Sequence, residues 1–171
     1  MADRQGRDEE FTRFVAASSG ALTRLAWFLT GNADLVADVV QDAYVKTYLA
    51  WGRVRTEDAL AYARTVVVNT NIDRLRRRHG ETALPEGYDR ADPGDAADDV
   101  AERDRVARML ATLPARQRQV VVLRYELDLS EQDTAAMLGI SVGTVKSAAA
   151  RALARLRSQN SLSTPEEEYT R

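Results

Sequence analysis

Residues 129–157 read LSEQDTAAMLGISVGTVKSAAARALARLR, a stretch with the signals of two helices around a short turn. Ser130 and Asp133 have the spacing of a capping box, which opens a short helix. Gly139 suits the left-handed residue that ends such a helix, and Ser141 is a candidate N-cap for the next one. The residues predicted to face inward in the first helix are Ala135, Ala136 and Leu138. The pattern therefore predicts a helix-turn-helix.

The second predicted helix has two faces of different character. Its apolar residues recur at helical spacing and would pack inward; they are Val145, Ala149, Ala152, Leu153 and Leu156. Its polar stripe would face outward and consists of Thr144, Ser147, Arg151 and Arg155, with Lys146 beside it. A basic helix that follows a glycine turn is the geometry that enters the major groove of DNA. Two packed helices with a solvated basic face are the alternative, but the order of glycine, cap and small residues favours DNA binding.

Charge is distributed unevenly along the chain, although the net charge is only −2. Residues 103–158 carry ten basic and five acidic side chains, whereas residues 80–102 carry one arginine and eight acids. The acidic stretch also contains three glycines and two prolines and has little apolar content. It cannot bury enough surface to offset the entropy lost on ordering. We therefore interpret residues 80–102 as a flexible acidic linker.

The linker divides the chain into two small domains, both predicted to be all-α. The N-terminal domain spans residues 1–79 and the C-terminal helix-turn-helix domain spans residues 103–158. The remaining residues, 159–171, are polar and are expected to be disordered.

Helical periodicity runs through the N-terminal domain. Residues 9–17 and 21–29 are apolar at three- and four-residue spacing and predict two helices, and Gly31-Asn32 is a stop signal. Residues 34–50 form the clearest amphipathic helix. Its inward stripe is Val36, Val39, Val40, Ala43 and Thr47. Its outward stripe is Asp34, Asp38, Gln41, Asp42 and Lys46.

A further helix is predicted from about Thr56, a candidate N-cap, to Arg78. Its inward residues are expected to be Leu60, Ala63, Val67, Ile72 and Leu75. Residues 65–68 are β-branched and taken alone would also suit a strand, but the flanking periodicity is continuous and favours a helix.

Composition excludes several classes of function. The chain has no cysteine, which rules out disulfides, thiol nucleophiles and cysteine-ligated zinc. A single histidine, His79, leaves almost nothing for metal binding or general-base catalysis, and no glycine-rich phosphate loop occurs. We therefore expect no enzymatic activity, no cofactor and no metal. The first residues contain no apolar signal segment and no run is long enough to span a membrane, so we expect a cytoplasmic protein.

Four segments together resemble one protein family. SVGTVKSAAARALARLR resembles the fourth conserved region of the extracytoplasmic-function sigma factors of the sigma-70 family, and residues 113–141 are similar to what precedes it. DLVADVVQDAYVKTYLAW resembles the polymerase-binding helix of the second region, and YARTVVVNTNIDRLRRR resembles its promoter-melting helix. The resemblance covers residues 10–79 and 103–157, and the VVQDAY motif paired with a long TVKS helix is similar to an actinobacterial subgroup. It implies a region 2 bundle and a region 4 helix-turn-helix.

The resemblance implies that the chain is a sigma factor, which directs core RNA polymerase to promoters and melts promoter DNA. Its polymerase-binding residues would lie on the helix at residues 34–50 and contact the clamp helices of the largest subunit. They are Asp38, Gln41, Asp42, Val45 and Lys46. By pattern alone this stripe is an ordinary solvated face. The flap of the second subunit and an anti-sigma factor are further candidate partners, and no membrane is expected.

The same resemblance implies two sets of DNA-binding residues. The set for the minus-ten element is Tyr62, Asn69, Asp73, Arg74, Arg76, Arg77 and Arg78. Asn69 and Asp73 would lie near an extruded base and Tyr62 could stack on it, although a core tyrosine is an equal alternative. The arginines would contact phosphate, or belong to a basic helix end. The set for the minus-thirty-five element is Ser130, Thr144, Lys146, Ser147, Arg151 and Arg155.

One departure from the family lies at residues 148–150, where three alanines replace an arginine and bulky residues. Alanine cannot hydrogen-bond to base edges, so we expect weak affinity for the minus-thirty-five element or an altered preference. A helix-turn-helix repressor or activator that is not a sigma factor explains residues 103–157 equally well. It does not explain VVQDAY or NTNIDRLRRR, which favour the sigma factor.

Overall fold

α-Helices make up most of the described chain, which in this computed structural model comprises residues 2–54, 56–80 and 97–162, with side chains at 5–54, 57–77 and 101–159. Those residues contain no strand, which confirms the predicted all-α class. The helices are α1 Ala2–Thr30, α2 Ala33–Ala50, α3 Ala59–Gly80, α4 Ala97–Ala111, α5 Ala115–Val121, α6 Glu131–Leu138 and α7 Val142–Leu162. A 3₁₀ turn, Thr56–Asp58, precedes α3, and a π-helical turn, Val122–Glu126, continues α5.

The chain divides into two units, Met1–Ala111 and Thr112–Arg171. Helix α4 belongs to the first unit because it packs against α1. The sequence placed residues 103–111 in the C-terminal domain and residues 97–102 in the linker, so the structure differs at both places. Residues 81–96 of the predicted linker lie outside the described residues, as do residues 163–171 of the predicted disordered tail. The first residues of that tail continue α7 as far as Leu162.

Helix α1 is continuous, whereas the sequence predicted two helices separated near Ser18-Ser19-Gly20. The buried Ser18 hydroxyl donates to the carbonyl of Phe14 at 2.7 Å, so this serine satisfies its polarity within the helix. Gly20 is exposed, and a side chain added there would meet no atom within 4 Å, so nothing at this position requires a glycine. The prediction of a break was therefore wrong, because a serine and a glycine can be carried inside a helix that is packed on one side.

A left-handed glycine and a capping asparagine separate α1 from α2, at the stop signal that the sequence predicted. Gly31 has φ 65° and is buried, and its N–H donates to the carbonyl of Trp27 at 2.8 Å. The Asn32 side chain accepts hydrogen bonds from the N–H groups of Asp34 and Leu35 at 3.0 and 3.3 Å. These contacts use two donors that α2 itself cannot satisfy.

The core of the first unit lies where α1, α2 and α3 meet. All five residues predicted to line the inward stripe of α2 are buried. Residues predicted to face inward on α3 are buried at Ala63, Val67 and Ile72 and half-buried at Leu60 and Leu75. The β-branched run is helical, and Val66 and Val68 are buried beside Val67 because α3 packs against both α1 and α2.

Aromatic side chains join the N-terminal half of α1 to the C-terminal end of α2. The cluster consists of Phe11, Phe14, Tyr44, Tyr48 and Trp51, with ring centroids 5.0–6.3 Å apart. Arg7 lies over the Tyr48 ring at 4.8 Å and donates to the Tyr48 carbonyl at 2.7 Å. These contacts therefore hold the first turns of α1 against α2.

Ion pairs join residues one turn apart in the part of α4 whose side chains are described. Arg105 contacts Glu102 at 2.8 Å and Arg108 contacts Asp104 at 2.6 Å. The hydrogen bond from Arg105 lowers the pKa of Glu102. The inner side of the helix is apolar, since Ala107 and Leu110 are buried.

Replacing Asn32 with alanine should lower the free energy of unfolding of the first unit by about 1 kcal/mol, because the capping bonds to α2 are lost. Both tryptophans, Trp27 and Trp51, lie in this unit, so tryptophan fluorescence during urea unfolding reports on it. Asn32→Asp is the matched control, since it keeps a capping oxygen. An alanine variant as stable as the parent would contradict the capping role.

Candidate protein-binding and nucleic-acid interfaces

The helix-turn-helix signals of the sequence are present as local geometry. Ser130 precedes α6, and its hydroxyl accepts from the Asp133 N–H at 3.0 Å and donates to the Asp133 carboxylate at 2.6 Å. Gly139 ends α6 in the left-handed conformation, with φ 63° and ψ 42°. The Ser141 hydroxyl accepts from the Thr144 N–H at 3.1 Å and so caps α7. The predicted caps and the predicted turn are confirmed.

Packing between α6 and α7 differs from the prediction at Ala136. On α6, Thr134, Ala135 and Leu138 are buried, whereas Ala136 is exposed, so its predicted inward position was wrong. Residues 134, 135 and 138 fall on one side of a helix, and residue 136 falls on the opposite side. On α7 the fully buried residues are Val145 and Ala152, and the predicted inward residues Ala149, Leu153 and Leu156 are half-buried.

The outer face of α7 carries the residues that the sequence assigned to DNA. Those exposed to solvent are Thr144, Lys146, Arg151 and Arg155. Ser147 is half-buried and donates to the Thr144 carbonyl at 3.1 Å. Of the three alanines that depart from the family, Ala148 is buried, Ala149 is half-buried and Ala150 is exposed. Only Ala150 lies fully on the outer face, so the departure changes that face at one residue.

Lys146 extends from α7 towards α6, where its ammonium lies 3.6 Å from the carboxylate of Glu131. Sequence reasoning did not include Glu131 among the functional residues. The available signal was an acid at the first residue of α6, next to a cap already assigned to DNA. This ion pair links the two helices beside the proposed DNA-binding face.

The outward face of α2 is acidic at its start and apolar at its end. Asp38, Gln41 and Asp42 are exposed, Val45 is 53% exposed and Leu49 is 68% exposed. Leu49 was missed by the sequence analysis, although it follows Val45 by one helical turn and lies off the buried stripe. Lys46 is exposed and donates to the Thr70 hydroxyl at 3.3 Å, so its ammonium is directed towards α3.

An exposed stripe along α3 contains the residues assigned to the minus-ten element. Its members recur at three- and four-residue spacing and are Tyr62, Thr65, Asn69, Asp73 and Arg76. Tyr62 is 37% exposed, which removes the alternative of a core tyrosine. Arg76 lies 3.8 Å from Asp73, and the Arg77 guanidinium donates to the Asp73 carbonyl at 3.3 Å. The side chain of Arg78 lies outside the described residues.

Arg74 is held differently from the other arginines of α3. It is half-buried and donates to the side-chain oxygen of Asn71 at 3.2 Å. Asn71 is fully buried and was missed by the sequence analysis, because nothing in its local pattern distinguishes it from an exposed asparagine. Asn71 therefore positions Arg74 at the edge of α3.

A cleft of about 310 Å³ lies between α2 and α3 in the first unit. It is lined by Leu35, Asp38, Val39, Gln41, Asp42, Thr70, Arg74 and Arg77. The cleft brings together the carboxylates assigned to polymerase binding and two arginines assigned to DNA binding. Two sets of residues on different helices, assigned to different partners, thus share one surface depression.

Comparison with known families accounts for both units. The model described as Sigma-70 region 2 matches residues 14–81, and the model described as Sigma-70 region 4 matches residues 103–156. The RNA polymerase sigma-E factor of Streptomyces avermitilis is 38% identical over 151 residues, covering 88% of this chain and 84% of that protein. The ECF RNA polymerase sigma factor SigM of Mycobacterium tuberculosis is 36% identical over 157 residues, covering 90% of this chain and 76% of that protein.

The chain is an extracytoplasmic-function sigma factor. The resemblance given by the sequence motifs, including its actinobacterial character, is confirmed. A regulator with only a helix-turn-helix is not favoured, because region 2 is matched as well as region 4. The function of this sigma factor is therefore to direct core RNA polymerase to promoters in transcription initiation.

Two solved structures have the same fold. The sigma factor RpoE of Bartonella quintana, determined in complex with the anti-sigma factor NepR, covers 91% of this sigma factor and 99% of its own chain at a TM-score of 0.67 and 24% identity. CnrH, determined in complex with the cytosolic domain of CnrY, covers 96% and 100% at a TM-score of 0.57 and 26% identity. Among the described helices of this sigma factor, none has the length and apolarity needed to cross a bilayer.

Replacing Thr134 with valine should stabilise the second unit by about 1 kcal/mol. Thr134 is fully buried, and its hydroxyl has no hydrogen-bond partner among the described residues, so valine removes a polar group at nearly constant volume. Hydrogen exchange of the α6 and α7 amides measures the change locally. Thr134→Ser, which keeps the hydroxyl and removes the methyl group, should destabilise the unit. A valine variant that exchanges faster than the parent would show that the hydroxyl is satisfied.

Proposed function

We propose that this sigma factor docks on core polymerase through the outward face of α2 and binds promoter DNA through the exposed faces of α3 and α7. One observation carries the proposal. The region 2 match contains α2 and α3, the region 4 match contains α6 and most of α7, and each of the three faces is exposed. Each helix has an apolar side that holds the fold and a polar side left for a partner.

The outward face of α2 suits a partner that is basic at one end and apolar at the other. Asp38 and Asp42 would meet cationic side chains of the polymerase, whose complementary charge speeds docking and fixes its register. Val45 and Leu49 would add apolar contact, since together they leave two large aliphatic side chains in solvent. The proposed site on the polymerase is the pair of clamp helices of its largest subunit.

The exposed stripe of α3 suits single-stranded promoter DNA. Tyr62 offers a ring on which a base can stack, and Asn69 and Asp73 lie further along the same stripe with hydrogen-bonding groups for an extruded base of the minus-ten element. Arg76 and Arg77 are exposed at its end and would neutralise phosphates. Arg78 follows Arg77 in the sequence and would also neutralise phosphate.

The outer face of α7 suits duplex DNA at the minus-thirty-five element. Arg151 and Arg155 follow one another at one-turn spacing and would contact phosphate or guanine edges, and Thr144 and Ser147 stand at the start of the helix. Ala150 lies between Ser147 and Arg151 along the helix, and the only base contact that its side chain can make is with a thymine methyl group. We therefore propose that the weak or altered preference for the minus-thirty-five element arises at Ala150.

We also propose further partners for this sigma factor. The second unit would contact the flap of the second polymerase subunit, and an anti-sigma factor would bind this chain as NepR and the cytosolic domain of CnrY bind the similar proteins. The acidic residues 81–96, followed by helix α4, would connect the two DNA-binding regions. We propose a cytoplasmic factor that performs no catalytic step and requires no cofactor.

Charge reversal on α2 tests polymerase docking. Asp42→Arg should weaken the binding of core polymerase roughly tenfold or more, because a repulsion replaces an attraction at the interface. Co-elution with core polymerase on size exclusion measures binding, and run-off transcription from pooled genomic promoter fragments measures function. Glu10→Arg, which reverses an exposed acid on α1, is the matched control. Full co-elution and transcription with Asp42→Arg would overturn the assignment of this face.

Two substitutions of Arg151 separate phosphate contact from base readout. Arg151→Ala should weaken promoter binding by the holoenzyme and flatten the dependence of log K on log salt by about one unit if the contact is to phosphate. Arg151→Lys keeps the charge and should restore that slope. A base contact would instead appear as lost preference at one base pair, costing ~1–3 kcal/mol, which lysine does not restore. Binding unchanged in both variants would show that α7 turns this face away from DNA.

A further inference from the structure

The ion pair between Glu131 and Lys146 stands beside the DNA-binding face of the second unit. The Lys146 ammonium lies 3.6 Å from the Glu131 carboxylate, and the side chains are 63% and 34% exposed. Glu131 is the first residue of α6, and Lys146 lies just over one turn into α7. The pair therefore connects the start of α6 to the early part of α7.

Both helix starts belong to the side of a helix-turn-helix that approaches DNA. The recognition helix presents its N-terminal residues to base edges, and the first helix crosses the phosphate backbone. In this chain the start of α6 carries Glu131 and Asp133, and the Ser130 hydroxyl is already engaged with Asp133. A carboxylate thus occupies a place where a phosphate group would come close to Lys146.

We propose that Glu131 is an internal brake on DNA binding, which neutralises Lys146 in the unbound factor and repels phosphate in the bound one. The inference rests on the proposed DNA-binding role of α7. Lys146 must exchange its carboxylate partner for a phosphate, and the exposed pair is weak enough to allow the exchange. The remaining carboxylate then lowers the effective positive charge of the face by one.

Glu131 opposes DNA binding, but it stabilises helix α6. A carboxylate in the first turn of α6 interacts favourably with the positive end of the helix dipole. Glu131 therefore supports the short helix α6 while it opposes the approach of DNA. A neutral glutamine at the same residue separates the two effects, because it keeps the side-chain size and removes the charge.

The experiment uses the full chain and a fluorescent duplex of random sequence, since phosphate contacts do not depend on sequence. Anisotropy is measured over a series of salt concentrations. Glu131→Gln should bind about threefold tighter at low salt, the factor expected for one unit charge some 7 Å away in water. Its salt dependence should be steeper by about one unit, because the face then carries one more net positive charge and displaces one more counterion. A merely structural effect would not steepen that slope.

Three comparisons make the outcome decisive. Asp128→Asn removes another exposed acid from the same unit and should change affinity less than Glu131→Gln. In a Lys146→Gln background the gain from Glu131→Gln should shrink, and an equal gain in both backgrounds would overturn the role of the ion pair. Glu131→Gln with parental affinity and slope would overturn the brake altogether.

Arg151→Ala, measured in the same assay, distinguishes failure of the brake from failure of the proposed function. If Arg151→Ala weakens binding and Glu131→Gln does not tighten it, the DNA-binding role of α7 is supported and the proposed role of Glu131 is wrong. If all of the proteins bind the duplex equally, the DNA-binding role of α7 is wrong, and the brake is wrong with it.

Discussion

Burial of Val66, Val67 and Val68 is the constraint on which the first unit depends. Three consecutive buried residues cover more than half of a helix's circumference, so α3 must be covered on two sides, and α1 and α2 supply those sides. Only a narrow strip of α3 remains in solvent. That strip carries Tyr62, Asn69 and the charged residues that follow. The same packing that stabilises the unit therefore selects which side chains of α3 are left accessible to a partner.

Periodicity predicted most of the fold because amphipathic stripes are a local property of the sequence. The α2 stripe and the caps at Ser130, Gly139 and Ser141 needed no information beyond a few neighbouring residues. The break in α1 was wrong because Ser18 is satisfied by a bond to its own helix. Pattern alone could not separate Thr134 from Ala136, since small residues are compatible with either side of a helix.

The sequence predicted which helix faces of the candidate sites are exposed, but it did not predict the contacts that their side chains make. The exposed residues of α2 and α7 followed from helical spacing, whereas the direction of two lysines did not. Lys46 turns to Thr70 on α3 and Lys146 turns to Glu131 on α6, and both partners are distant in sequence. The buried Asn71 that holds Arg74 is a similar case. Such contacts depend on tertiary packing, which no local pattern contains.

Helix α4 belongs to one unit by packing and to the other by family boundaries. The region 4 match begins at residue 103, yet α4 ends at Ala111 and buries Ala107 and Leu110 in the first unit. Gene recombination that exchanged region 4 at the family boundary would split this helix and leave half of its apolar side with an unrelated neighbour. A crossover between residues 111 and 112 would preserve each core. Recombination within this chain is therefore constrained by a helix that packs in the first unit although the region 4 match begins inside it.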